Sequence, residues 1–243
     1  MPKFQIKNLT IYDKEKLLVD LFKESTNNLL INSSLALVGQ SGSGKSLSLK
    51  AILDMVPPNL DVKFDNSSNF KLDKQHIGFI PQNPFTSLSP MTQISKQFFL
   101  QNHKLCDDKK IDELLKMVKL EPELKNKFPM ELSGGQLQRI VIAIALSTKP
   151  KLLLLDEPTT ALDDDSKLTI INLFKELQKK LHFLMIYVSH DIASIKDICD
   201  DIAILNKGVI CEYGNTKEIL SNPKHPYTKQ LIESNFKNRE FRV

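Results

Sequence analysis

Glycine is scarce in this chain of 243 residues, with eight in all, and arginine is scarcer still, limited to Arg139, Arg239 and Arg242. The basic residues are therefore nearly all lysine. The net charge of +4 includes no block of like charges, so the sequence carries no nucleic-acid footprint. Cysteine is also sparse: Cys106, Cys199 and Cys211 are odd in number, far apart and without a CxxC pair. That argues against a disulfide framework or a zinc site and fits a reducing compartment. Long apolar runs are missing. Ile140–Leu146 and Phe183–Val188 fall well short of the roughly 18–20 residues that span a bilayer. The opening Met1-Pro2-Lys3-Phe4-Gln5 lacks the apolar centre of a signal peptide. These absences predict a soluble, cytosolic chain holding one large domain, or one domain with an insertion, and the 41% hydrophobic content allows a sizeable core.

The few glycines are not spread evenly. Five of the eight fall in two stretches, Gly39-Gln40-Ser41-Gly42-Ser43-Gly44-Lys45-Ser46 and Leu132-Ser133-Gly134-Gly135-Gln136. The first follows the short apolar run Leu35–Val38 and precedes a helical pattern from Lys45, which is the setting of a phosphate loop. Backbone N–H groups there make an anion nest, with Lys45 to reach the β- and γ-phosphates of ATP and Ser46 to ligate Mg²⁺. Leu152–Leu155 is an apolar strand that delivers two carboxylates at its end. Alone this could be a strand followed by an acidic turn; after a phosphate loop, Asp156 would hold Mg²⁺ directly or through water and Glu157 would act as general base for the attacking water.

Around these motifs the pattern alternates strands and helices. Phe4–Ile11 reads as a strand, and Ile77–Ile80 as another, stopped by Pro81. Residues 83–127 turn polar and helical, broken by Pro84, Pro90 and Pro122. Gln136–Thr148 and Ser166–Leu181 read as helices, and Lys151–Leu155 and Phe183–Ser189 as buried strands. Ile202–Leu205 and Val209–Cys211 read as a closing hairpin. Such β-α-β alternation predicts an α/β fold with mainly parallel strands.

Leu132–Gln136 resembles the signature motif of ABC ATPases, about twenty residues ahead of the Asp156-Glu157 pair. Four further matches fall in order: the phosphate loop, Gln82 as the Q-loop glutamine, Asp163 of Ala161-Leu162-Asp163 as the D-loop, and His190 as the switch histidine. The resemblance covers nearly the whole chain. It implies a P-loop NTPase core (1–82 and 128–243) with an N-terminal antiparallel β part and an inserted helical subdomain (83–127). It also implies a head-to-tail dimer with two ATP molecules at the interface. Gly39 to Ser46 and Leu47 would bind ATP, and Glu157, His190 and Gln82 would act in hydrolysis. Mg²⁺ would be held by Ser46, Gln82 and Asp156. Ser133, Gly134, Gly135 and Gln136 would face the partner's γ-phosphate, with Asp163 at the dimer interface. Tyr12, one residue early against the family pattern, is either the adenine platform or a plain tyrosine.

The segments between motifs resemble the peptide/nickel importer subgroup: Gln82–Pro90, and the HPYT stretch His225-Pro226-Tyr227-Thr228. Leu35–Leu47 and Glu131–Ile144 look closer to nickel-import ATPases, and the sequence ends soon after HPYT, which favours nickel or a nickel chelate as cargo over peptides. The resemblance implies two membrane permeases docked near Gln82–Phe99, a second ATPase subunit (a paralogue or a second copy), and an extracytoplasmic substrate-binding protein. It implies no nucleic acid, and a place on the cytoplasmic face of a bacterial membrane. Soluble ABC ATPases of translation or repair normally carry paired cassettes or long insertions, which are not seen here. Intact Glu157 and His190 argue against a non-hydrolysing cassette.

Overall fold

The computed structural model describes residues 1–23, 28–102 and 107–240. It forms two compact units, Met1–Leu72 with Leu184–Val243, and Asp73–Phe183.

The first unit opens with β1 (Phe4–Asp13), β2 (Lys16–Asp20) and β3 (Leu29–Ile31), followed by β4 (Ser34–Val38), α1 (Lys45–Ile52) and β5 (Leu60–Ser68). β5 pairs antiparallel along β1 from Phe4 to Asp13, while β2 and β3 pair antiparallel with its two ends. This is the antiparallel N-terminal sheet that the family resemblance implies. β2, β3 and β5 carry little strand signal in the sequence. β5 reads LDVKFDNSS and buries only part of itself, so it is held by β1's hydrogen-bond ladder rather than by an apolar face.

The second unit contains β6 (Ile77–Ile80), α2 (Ile94–Gln101), α3 (Asp108–Met117), α4 (Gly134–Leu146), β7 (Leu152–Asp156) and α5 (Asp164–Leu181). β6 and β7 pair in parallel, Ile77 opposite Leu152. Pro84, Pro122 and Pro129 each open a 3-10 turn, where a missing N–H has no partner to lose. Gly78 lets β6 pack closely, since a Cβ there would lie 2.8 Å from the Leu153 side chain.

The chain then completes the first unit with β8 (Leu184–Ser189), α6 (Ile192–Ile195), β9 (Asp201–Asn206), β10 (Val209–Asn215), α7 (Thr216–Ser221) and α8 (Pro226–Glu240). β4 runs parallel to both β8 and β9, and β10 returns antiparallel along β9. Every residue of β4 and β8 is buried, as continuous apolar strands covered on both faces must be. Lys207 and Gly208 both have positive φ, which matches the two-residue hairpin turn between β9 and β10. Cys199 is fully buried, and burial, with Asp200 and Asp201 nearby, pushes its thiol pKa up, away from reactivity. Cys106 lies outside the described residues.

Candidate functional site

The glycine-rich loop lies between β4, packed in the sheet, and α1. Gly42 and Gly44 have φ of 78° and 102°, values that disfavour any residue with a Cβ. Gly39 is constrained differently: a Cβ there would fall 2.1 Å from the Leu205 carbonyl oxygen and 2.7 Å from Ser43 Oγ. The loop is drawn inward around Lys45, only 5% exposed, whose Nζ donates to the Gly39 and Gln40 carbonyls at 2.8 and 2.9 Å. The β9–β10 turn holds it from outside, with the Gly208 N–H donating to the Ser43 carbonyl at 2.9 Å.

What the loop presents is donors. α1 begins at Gly44 with no side-chain cap and no acidic residue in its first turn. α2 shares both features, whereas α3, α4 and α5 cap themselves through Asp107, Ser133 and Asp163, each accepting a backbone N–H. A helix N-terminus without a side-chain cap offers its positive dipole end to an anion. The buried Ser43 hydroxyl likewise has no hydrogen-bond partner among the described residues. Gln40, Ser41 and Gly42 are exposed, while Ser46 and Leu47 are half-buried in the first turn of α1. These residues fit a bound phosphate chain. His190 is exposed just beyond β8. Tyr12 is half-buried on β1 at an irregularity in the β1–β2 register.

The second unit carries the acidic residues. Asp156 ends β7 at 9% exposure, and Glu157 follows with φ of 47°, a left-handed conformation rarely taken by a residue with a long side chain. The turn from Glu157 to Thr160 closes through the Thr160 N–H on the Glu157 carbonyl at 3.2 Å. The Glu157 carboxylate accepts from Thr160 Oγ1 at 3.0 Å and from Gln82 Nε2 at 3.4 Å. Gln82 and Glu157, 75 positions apart, thus meet. Thr160 escaped the sequence reading, although its place three residues beyond an acidic turn was a usable signal.

The signature residues build a helix start. Ser133 Oγ accepts the Gln136 N–H at 3.3 Å, and Gln136 Oε1 accepts the Ser133 N–H at 3.0 Å, a reciprocal capping box. Arg139 donates to the Gly135 carbonyl at 3.1 Å and the Lys119 carbonyl at 3.0 Å. Little inside the chain demands glycine at 134, where the nearest atom to a Cβ would be Leu162 Cδ2 at 3.9 Å. Asp163 Oδ1 accepts the Ser166 N–H at 2.9 Å, and Ser166 holds that carboxyl below its ordinary pKa.

Residues 24–160 match the family described as "ABC transporter", and residues 211–242 match "Oligopeptide/dipeptide transporter, C-terminal region". The chain is 39% identical over 223 residues to the oligopeptide transport ATP-binding protein OppD of Bacillus subtilis, covering 83% of this chain and 62% of that relative. It is 37% identical to the dipeptide transport ATP-binding protein DppD of Caldanaerobacter subterraneus, covering 85% and 70%. Among solved structures, cbiO1 of Clostridium perfringens, part of the ABC transporter complex cbiONQ, superposes with a TM-score of 0.74 at 29% identity, covering 90% of each chain. The chain spans less than two thirds of the Bacillus relative's length. These relatives carry peptide names, so they favour the peptide alternative over the nickel reading of the sequence. With an α/β ABC ATPase fold, a family match over more than half its length and relatives that are ATP-binding proteins of peptide transport, the chain belongs to the ABC transporter family.

Proposed function

We propose that the chain binds ATP through Gly39–Leu47 and hydrolyses it to power import of peptides across a cytoplasmic membrane. The observation that carries the nucleotide reading is the uncapped N-terminus of α1 behind Gly42 and Gly44. Ser46, Asp156 and Gln82 would hold Mg²⁺, an oxygen donor set of the kind that ion accepts. The ion would neutralise charge on the transferred phosphoryl group. Glu157 takes the proton of the attacking water; Thr160 and Gln82 hold its carboxylate, and His190 orients the γ-phosphate. Catalysis on this reading is mostly positioning and charge stabilisation.

Ser133, Gly134, Gly135 and Gln136 would close over a partner's ATP, and the open face at Gly134 supports that role. Asp163 would lie in the same dimer interface. Tyr12 is proposed as the adenine platform. The partner ATPase is a paralogue or a second copy. Phe85, Met91, Phe99 and Leu100 are each at least half exposed on the second unit, a density of apolar surface that supports docking of two permeases there. The working complex would include an extracytoplasmic substrate-binding protein, and the subunit would sit on the cytoplasmic face of the membrane. Among the described residues, no helix is long and apolar enough to cross it.

Peptide cargo is supported by the names of the relatives and by the match of residues 211–242. Uptake of labelled peptide and of nickel, measured in a deletion strain and after complementation, tests it. Loss of nickel uptake with peptide uptake intact would restore the nickel reading.

A further inference from the structure

The peptide that joins Gly39 to Gln40 is held at both ends. Its carbonyl accepts Lys45 Nζ at 2.8 Å, and its N–H donates to the Tyr227 hydroxyl at 3.1 Å. The lysine belongs to the loop's own motif, whereas the tyrosine arrives from 187 positions further along, in the first turn of α8. A peptide group is rigid, so its N–H and carbonyl turn together. Whatever fixes the N–H also fixes the carbonyl that receives the ammonium group. On its other side the group is packed against β9, where the Leu205 carbonyl leaves no room for a Cβ on Gly39.

Tyr227 is itself placed by a chain of contacts that accounts for the HPYT order. Glu212 on β10 accepts the N–H groups of Lys224 and His225 at 2.9 and 3.1 Å. His225 Nδ1 then accepts the N–H of Tyr227 at 3.1 Å, capping the helix with an imidazole. Pro226 stands at the first helical position, where its lack of an N–H costs nothing. Thr228 and Leu231, at 0% and 3% exposure, anchor the following turn in the core. The phenol is thereby delivered to the loop by buried and hydrogen-bonded neighbours on both sides.

We propose that Tyr227 is a positioning residue for nucleotide binding: its hydroxyl sets the Gly39–Gln40 peptide, and through it Lys45, and so links the C-terminal helix to ATP affinity. The proposal rests on the nucleotide reading given above. Tyr227→Phe removes one oxygen and keeps the ring. The dissociation constant of fluorescent N-methylanthraniloyl-ATP with Mg²⁺ should rise about three- to tenfold, the loss of one hydrogen bond. Exchange of the Gln40 amide hydrogen should accelerate. The melting temperature without nucleotide should fall by no more than about 4 °C, and kcat should hold while KM rises. His225→Ala should weaken binding in the same direction, and His225→Asn, which keeps an acceptor for the Tyr227 N–H, should restore it.

Wild-type protein that fails to bind the probe, or a Lys45→Ala variant that binds it normally, would overturn the nucleotide reading and this role with it. Binding that Lys45→Ala abolishes but Tyr227→Phe leaves within about twofold overturns the tyrosine's role alone. So does a melting temperature lowered by more than about 4 °C, which would assign the hydroxyl to folding instead.

Discussion

Replacing Gly39 with alanine puts a methyl carbon 2.1 Å from the Leu205 carbonyl oxygen and 2.7 Å from Ser43 Oγ. Ordinary carbon contacts begin near about 3.5 Å, so one side must move by more than an ångström. Ser43 Oγ can rotate away; the Leu205 carbonyl cannot. Leu205 is fully buried in β9, its neighbour Ile204 pairs with Val38 of β4, and Leu205 itself pairs with Ile210 of β10. The backbone is held from both edges. An overpacking clash that falls on backbone belongs at the upper end of the usual range, about 3 kcal/mol. For a chain of this size that lowers the melting temperature by about 6–12 °C. Gly42→Ala is the matched contrast: no atom lies within 4 Å of its Cβ, and only the φ of 78° penalises it. That costs about 1–2 kcal/mol, or about 2–8 °C. Thermal unfolding of both variants without nucleotide, followed by circular dichroism, separates the two causes. A Gly39→Ala protein within about 2 °C of wild type, or a Gly42→Ala protein hit harder than it, would refute the packing argument.

Glu157→Gln should still bind ATP, accumulate as a dimer and release phosphate about 10²- to 10⁴-fold more slowly; normal turnover would remove Glu157 as the base. Thr160→Val should lower kcat about tenfold with KM unchanged, since only the carboxylate's orientation is lost; a rise in KM alone would contradict that role. Gln138 is 1% exposed, and neither amide atom has a hydrogen-bond partner among the described residues. Gln138→Met should therefore raise stability by about 1–3 kcal/mol in denaturant melts, and a lower midpoint would show that the amide is satisfied. Asp163 titrates below its ordinary value because Ser166 hydrogen-bonds its charged form. Its stabilising effect is present above the unfolded pKa, about 3.9, and is lost as pH falls through the lower folded value. Asp163→Ala should melt below wild type at pH 7, and the gap should close in strong acid; a gap independent of pH would deny the charged cap.

The candidate site was legible where chemistry depends on near neighbours in the chain. A nest of N–H groups needs glycines at fixed offsets, a lysine and a strand before a helix, and Gly39–Ser46 supply all of these. Asp156 and Glu157 were legible because an apolar strand ended in two carboxylates. β5 was not, because its polar residues carry no periodic apolar face and its partner β1 lies some fifty positions earlier. The nickel reading leaned on resemblances between motifs, and the relatives carry peptide names instead.

By itself the sequence singled out the groups that the proposed function brings to a phosphate: glycines, Lys45, Ser46 and two carboxylates, each set by local backbone geometry. Only the tertiary structure decided what holds them. Glu157 stands in a left-handed conformation under Thr160 and Gln82, and the Gly39–Gln40 peptide is fixed by a tyrosine 187 positions away. Glu212 on β10 and the buried Thr228 and Leu231 of α8 bring that phenol to the loop. Contacts of this kind leave no period or motif in a chain, because the spacing between their partners is set by sheet order and helix packing rather than by bonded neighbours.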